Sequence, residues 1–136
     1  MGTETPMAGN RRPTRKLRNE IMSLLHATHR DAGPVTVLDI SGRITLGEGS
    51  ALLRKTIRDL LEDKRTNILV NLADVNYIDS SGIGELVSAY SAVKSRGGEL
   101  KLLHLTKKVH DLLQITKLYT VFEVHSDENS ALLSFR

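Results

Sequence analysis

The sequence contains no cysteine, and this absence excludes several kinds of site. Without thiols the chain can form no disulfide, hold no metal through thiolate ligands and use no cysteine as a catalytic nucleophile. Tryptophan is also absent and aromatic residues make up only 4% of the chain. The core must therefore be built mainly from leucine, isoleucine and valine, and one common anchor of protein interfaces is missing.

Long hydrophobic runs are absent as well. No apolar stretch approaches the roughly 18 residues that a membrane-spanning helix needs, and the N-terminal residues include no apolar signal segment. We therefore expect a soluble, cytoplasmic protein without a membrane span. The 136 residues correspond to a single domain, long enough to bury a core of its own.

Positive charge is concentrated at one end of the chain. Residues 1–18 carry five Arg and Lys side chains against one Glu, a net charge of +4, which leaves −1 of the overall +3 for residues 19–136. The first segment also has two of the three prolines and few apolar residues, which predicts a disordered basic tail. The remaining chain, the expected folded domain, is nearly neutral and has no aromatic platform in a basic strand, so nucleic-acid binding is not expected.

Strand and helix patterns alternate along residues 19–136. A turn signal at residues 31–34 precedes a strand pattern at 35–40, which predicts a hairpin at a sheet edge. Residues 20–28 fit either a helix or a strand. The segment 43–49 is expected to be a loop, after which a helix begins at Glu48 or Ser50. Its inward stripe should contain Leu53, Ile57, Leu60 and Leu61.

Further strands are expected at residues 68–72, 100–103 and 121–124. Between and after them, helices should begin near residues 79–81, at Thr106 and near residues 127–130. Because strands and helices alternate, the sequence predicts an α/β domain with a largely parallel sheet and right-handed crossovers.

The most informative stretch, which we call the switch turn, follows the strand expected at residues 68–72 after the intervening residues 73–78. It consists of six residues at the start of a helix: Asp79, Ser80, Ser81, Gly82, Ile83 and Gly84. The first three have short oxygen-bearing side chains that cap helix starts. The two glycines remove bulk and allow another backbone or a ligand to approach.

Two interpretations of this turn are open from the residues alone. In the first, its polar side chains only cap the helix. In the second, a serine hydroxyl is exposed near the positive end of the helix dipole and is available for modification. Phosphate would be tolerated at such a position, because unpaired N–H groups and the helix dipole favour an anion there.

Sequence signatures of enzymes are missing. Residues 82–87 begin like a dinucleotide fingerprint, but Val87 stands at the third glycine position, and no phosphate-binding loop of the Walker type is present. Neither Ser80 nor Ser81 lies in the Gly-x-Ser-x-Gly turn of hydrolases. The five histidines are scattered and lack the i, i+4 spacing of a helical zinc site. We expect no catalytic residues, no metal and no cofactor.

From about residue 31 to the C-terminus the chain resembles the STAS domain family, which includes bacterial anti-sigma-factor antagonists and the cytoplasmic tails of sulphate transporters. The resemblance rests on residues 41–44, 71–75, 78–84 and 96–100, and on residues 112–118 before a short strand. It implies a STAS-type single domain with a mixed, mostly parallel sheet of about five strands and about four helices. It also implies a first strand within residues 20–28.

In antagonists of this family the first serine of the Asp-Ser-Ser/Thr-Gly motif accepts phosphate from an anti-sigma Ser/Thr kinase, and by position this is Ser80. The resemblance thus implies a non-enzymatic regulator of transcription that binds the kinase when unphosphorylated and is reset by a PP2C-type phosphatase. Thr45 departs from the pattern, because many antagonists have an acidic residue there. The alternative is a constitutive STAS scaffold of a signalling or transport complex, in which Ser80 is only a helix cap.

Overall fold

The computed structural model describes residues 25–135. The tail expected at residues 1–18, and residues 19–24 of the expected domain, lie outside the described residues. The elements in chain order are β1 (His26–Ala32), β2 (Val35–Ile44), α1 (Glu48–Glu62), β3 (Asn67–Ile78), α2 (Ser80–Ser95), β4 (Glu99–Leu103), α3 (Lys107–Thr116), a 3₁₀ turn (Leu118–Thr120), β5 (Val124–His125) and α4 (Glu128–Leu133).

The five strands form one sheet in which spatial order equals chain order, β1-β2-β3-β4-β5. The first pair is an antiparallel hairpin, closed by a turn in which Gly33 has φ +63°, whereas the other three pairs are parallel. The expected α/β architecture is therefore confirmed, with five strands and four α-helices among the described residues. The first strand that the resemblance implied within residues 20–28 is present as β1, but it lies later in the chain, at His26–Ala32.

Two apolar clusters pack on opposite faces of this sheet. The larger contains the inward side chains of α1, α2 and α3, such as Leu53, Leu86 and Leu113, against one face of the strands. The smaller joins Ala131 of α4 to the opposite face, where Leu69 of β3 is also fully buried. β3 is thus covered on both sides, as its apolar sequence predicts.

The loop expected at residues 43–49 begins later than predicted, because β2 continues to Ile44. The register between β2 and β3 shifts on both sides of Ser41–Gly42, and the pairing ends with Ile44 opposite Ile78. Gly42 has φ +102°, a conformation in which glycine is unstrained and which often marks a bulge rather than the end of a strand. Ile44 is therefore a buried strand residue and not part of the loop.

The strand expected at residues 121–124 is also wrong in position, since β5 consists only of Val124 and His125. Phe122 is buried and meets the ring of Tyr90 edge to face, with the ring centroids 5.6 Å apart. Phe122 and the partly buried Val121 therefore pack into the main core, whereas Val124 pairs in β5 and is exposed.

The predicted helix starts agree with the structure. The first helix begins at Glu48, one of the two expected residues. α2 ends before Gly97, which has φ +81° and takes the left-handed position that favours glycine. Thr106 and Asp127 occupy the N-cap positions of α3 and α4, as expected.

Candidate functional site

The switch turn begins where β3 ends, at the carboxyl edge of the parallel strands. Ile78 is the last residue of β3, Asp79 has extended backbone angles, and Ser80 is the first residue of α2. The Asp79 Oδ1 atom accepts a hydrogen bond from the Gly82 amide at 2.9 Å. Asp79 is therefore the helix cap that the sequence predicted among residues 79–81, and Ser80 does not occupy the cap position.

The second carboxylate oxygen of Asp79 reaches a different segment. Oδ2 accepts a hydrogen bond from the Leu46 amide at 3.3 Å, and the Asp79 amide donates to the Ile44 carbonyl, also at 3.3 Å. These contacts bring the loop between β2 and α1 (residues 45–47) beside the switch turn. Thr45, the position that the resemblance singled out, lies in this loop, and its carbonyl accepts the amide of Ser50 at 3.0 Å.

Leu46 is the part of this site that sequence reasoning missed. The residue is 78% exposed, and its backbone amide is held beside the start of α2 by Asp79. The sequence signal was available only indirectly, since an apolar residue between Thr45 and Gly47 has no strand or helix periodicity to explain it. The structure therefore adds an exposed apolar residue to the loop that contacts Asp79.

The two glycines of the switch turn have different roles. A Cβ atom on Gly82 would lie 2.2 Å from the Ile44 carbonyl oxygen, so the close approach that the sequence predicted is made by the protein's own β2 strand. A Cβ atom on Gly84 would meet no atom within 4 Å, because Gly84 faces open space. Ile83 is buried in the larger apolar cluster, so it anchors the switch turn to the core.

Ser80 is exposed, and Ser81 is half-buried. Among the described residues neither hydroxyl has a hydrogen-bond partner in the protein, since the capping contacts belong to Asp79. No acidic residue lies in the first turn of α2 itself. Ser80 thus presents a free hydroxyl beside the first-turn N–H groups of α2, where the helix dipole favours an added anion.

Two cations lie at the same end of β3. The Tyr77 ring has the Arg43 guanidinium 4.5 Å and the Lys108 ammonium 4.9 Å from its centroid, both within cation–π distance. Arg43 belongs to β2 and Lys108 to α3, so the contact depends on tertiary packing and gave no signal in the sequence. It places positive charge near the edge of the sheet from which the switch turn leaves.

The described residues contain no group of three or more His, Asp or Glu side chains placed to hold a metal ion. His26 and His29 are three positions apart on β1, so they point to opposite faces of the strand. In the part of the chain that the structure covers, no helix is both long and apolar enough to cross a membrane.

Comparison with known proteins agrees with this architecture. The family model of the STAS domain matches residues 26–131. The anti-sigma-B factor antagonist of Bacillus subtilis (strain 168) is 31% identical over 87 residues, which cover 64% of this chain and 78% of the relative.

Solved structures share the fold at lower identity. An anti-sigma factor antagonist from Mycobacterium paratuberculosis has a TM-score of 0.72 at 19% identity, covering 84% of this chain and 96% of that one. The antagonist SpoIIAA superimposes in its unphosphorylated form with a TM-score of 0.67 (18% identity, 79% and 93% covered). The phosphorylated form of SpoIIAA from Bacillus has a TM-score of 0.63 (17% identity, 79% and 96% covered). Since the family model spans nearly all the described residues and the fold agrees, the chain belongs to the STAS domain family.

Proposed function

We propose that this protein is an anti-sigma factor antagonist, which binds an anti-sigma Ser/Thr kinase when Ser80 is unphosphorylated and is switched off when Ser80 is phosphorylated. The antagonist role is supported by the name of the Bacillus subtilis relative. A related fold has been solved in phosphorylated and unphosphorylated forms, which supports a switch of this chemistry. When the unphosphorylated antagonist binds the kinase, the kinase releases its sigma factor, and transcription is regulated in this way.

The observation that carries the proposal is the division of roles between Asp79 and Ser80. Asp79 supplies the cap through Oδ1 and holds the neighbouring loop through Oδ2. Ser80 makes neither contact and is exposed. An exposed hydroxyl at a helix start that makes none of these contacts is accessible to a kinase. Its modification leaves the hydrogen bonds of Asp79 in place.

Phosphorylation of Ser80 would add a charge of about −1.5 to −2 at this point. The fold tolerates it because the α2 N-terminus favours an anion. A partner packed closely on the turn does not, since the phosphate would have to lose its water in the interface beside the Asp79 carboxylate. The expected effect is loss of binding with the fold unchanged.

Leu46 and Gly84 give the unphosphorylated turn its contact surface. Leu46 offers exposed apolar area in the loop that contacts Asp79, and Gly84 leaves open space on the α2 surface. A kinase that reaches the Ser80 hydroxyl would touch both. A PP2C-type phosphatase would restore the binding form, and all these steps would take place in the cytoplasm.

The test is phosphate transfer combined with capture from native cell extract. Wild type, Ser80→Ala, Ser80→Glu and Ser81→Ala are used as baits, and bound proteins are identified by mass spectrometry. Labelled ATP is then added to the captured complex. We expect wild type and Ser81→Ala to retain a kinase and become labelled, Ser80→Ala to retain it without labelling, and Ser80→Glu to lose it.

The control for charge is Ser91→Glu, which adds the same charge at an exposed position further along α2. It should bind like wild type. If Ser80→Glu and Ser91→Glu retain the same proteins as wild type, and no bait is labelled, Ser80 is not a switch and the constitutive scaffold function is correct instead.

A further inference from the structure

A groove between α1 and α2 has features of a binding site that the proposed switch does not use. Its volume is about 510 Å³, within the range of roughly 300–1,000 Å³ that is typical of small-molecule sites. The floor is apolar and consists of Ile57, Leu61, Ala89 and Ala92. Because Ala89 and Ala92 have short side chains, they leave space between the two helices.

Three arginines line this groove, and they differ in what they already contact. Arg54 forms a bidentate ion pair with Glu85, with distances of 2.9 and 3.2 Å. Arg96 donates one hydrogen bond, to the Leu61 carbonyl at 3.3 Å. Arg58 has no ion-pair or hydrogen-bond partner among the described residues, although it lines the groove and is exposed.

The charge of the groove is therefore positive. Glu85 is its acidic lining residue and neutralises one of the three guanidinium groups. The other two, on Arg58 and Arg96, retain several free N–H donors each. A guanidinium presents these donors in a planar fork that fits the oxygens of a phosphate or carboxylate.

We propose that this groove binds a small organic anion, in which a phosphate or carboxylate group is attached to a flat or apolar body. The body would lie on the apolar floor, and the anionic group would meet Arg58 and Arg96. The basic segment at residues 1–18 has a net charge of +4, so it has the wrong sign to occupy the groove. A ligand of opposite charge has electrostatic complementarity.

This site is separate from the switch turn. The groove runs along α1 and α2 from the Arg54–Glu85 pair to Arg96 at the end of α2, and neither Asp79 nor Ser80 lines it. Ligand binding and phosphorylation can therefore be tested independently, and a failed ligand test does not affect the antagonist proposal.

The experiment uses the full ¹⁵N-labelled chain and follows backbone amide shifts by NMR during titration with 1-naphthyl phosphate. Parallel titrations with 1-naphthoate, 1-naphthol and inorganic phosphate separate the contributions of the anionic group and the body. We expect saturable shifts at Arg58, Ala89 and Ala92 with one or both naphthyl anions. Naphthol and inorganic phosphate should bind at least about tenfold more weakly, since each lacks one of the two interactions.

The decisive variant is Arg58→Gln, which removes a charge from an exposed helix position and leaves the core intact. Its matched control is Lys55→Gln on the same helix, because Lys55 pairs with Asp59 outside the groove. Arg58→Gln should weaken the naphthyl anion by about tenfold, and Lys55→Gln should not change it. The proposal is overturned if no saturable shifts occur at these amides up to about 10 mM, or if both variants bind like wild type.

Discussion

The amide of Leu46 donates a hydrogen bond to the carboxylate of Asp79 at 3.3 Å, which joins the loop after β2 to the start of α2. The other oxygen of the same carboxylate caps α2 through Gly82 at 2.9 Å. One side chain therefore holds both segments that border Ser80. Its removal should disturb the surface around the serine as well as the stability of the helix.

Asp79→Ala removes both hydrogen bonds of this carboxylate. We expect the free energy of unfolding to fall by about 1–2 kcal/mol, the usual effect of losing an N-cap side chain. The free energy of unfolding should fall much less for Asp79→Asn, because asparagine is also a good N-cap residue. Urea unfolding of the three proteins measures the difference, and equal stability of wild type and Asp79→Ala would contradict the capping role.

Gly82→Ala and Gly84→Ala form a matched pair within one helical turn. The Cβ atom added at Gly82 would lie 2.2 Å from the Ile44 carbonyl oxygen, so we expect destabilisation of about 1–3 kcal/mol, as in other overpacked sites. At Gly84 the added Cβ atom meets nothing within 4 Å. Because alanine favours a helix over glycine, stability there should rise by up to about 1 kcal/mol. Thermal unfolding should show a lower midpoint than wild type for Gly82→Ala and a higher one for Gly84→Ala.

Ser80→Glu should leave the folded state intact. A carboxylate at the first position of α2 interacts favourably with the helix dipole, while the nearby Asp79 opposes it, so stability should stay within about 1 kcal/mol of wild type. Circular dichroism and urea unfolding measure this directly. A large loss of stability would mean that any loss of kinase binding by this variant reflects unfolding rather than charge.

The Arg30–Glu128 pair should make stability depend on pH. Two hydrogen bonds, at 2.8 and 2.9 Å, connect the guanidinium of β1 to the carboxylate of α4. Hydrogen bonding from Arg30 holds the pKa of Glu128 below its ordinary value of 4.5. A carboxyl with a lowered pKa in the folded state contributes stability above its unfolded value, and this contribution is lost as pH falls through the folded value.

Glu128→Gln tests that dependence. At pH 7 the variant should be less stable than wild type by up to about 1 kcal/mol, as expected for a partly exposed pair. Below the folded pKa of Glu128 both proteins have a neutral side chain at this position, so the gap should close. Urea unfolding at pH 7 and at successively lower pH values below 4.5 measures it. A gap that stays constant with pH would exclude the charged pair as its cause.

Local sequence signals were sufficient for much of the fold and part of the site. The apolar residues of β3, the cap at Asp79 and the inward stripe of α1 are each determined within a few positions, so their pattern predicts them. β5 lies later than predicted, because Phe122 packs on Tyr90 of α2 and only Val124 and His125 pair with β4. The apolar pattern at 121–124 does not show which of its residues pack on a helix and which pair in a strand.

The contacts around the site join residues that are distant in sequence. Leu46 and Asp79 are 33 positions apart, and Arg54 and Glu85 are 31 apart. In the sequence Arg54 belongs to the polar face of α1, which is usually solvated. Its role in a groove depends on how α2 packs beside α1, and that requires the folded structure.

The order of strands in the sheet has a consequence for folding kinetics. Because strand order equals chain order, each strand pairs with its neighbour in sequence, and sheet growth needs no closure between the two ends of the chain. The Arg30–Glu128 contact is different, since it spans 98 positions and joins β1 to α4, the last helix among the described residues. We therefore expect this contact to be absent from the folding transition state, so that Glu128→Gln speeds unfolding and leaves the folding rate nearly unchanged.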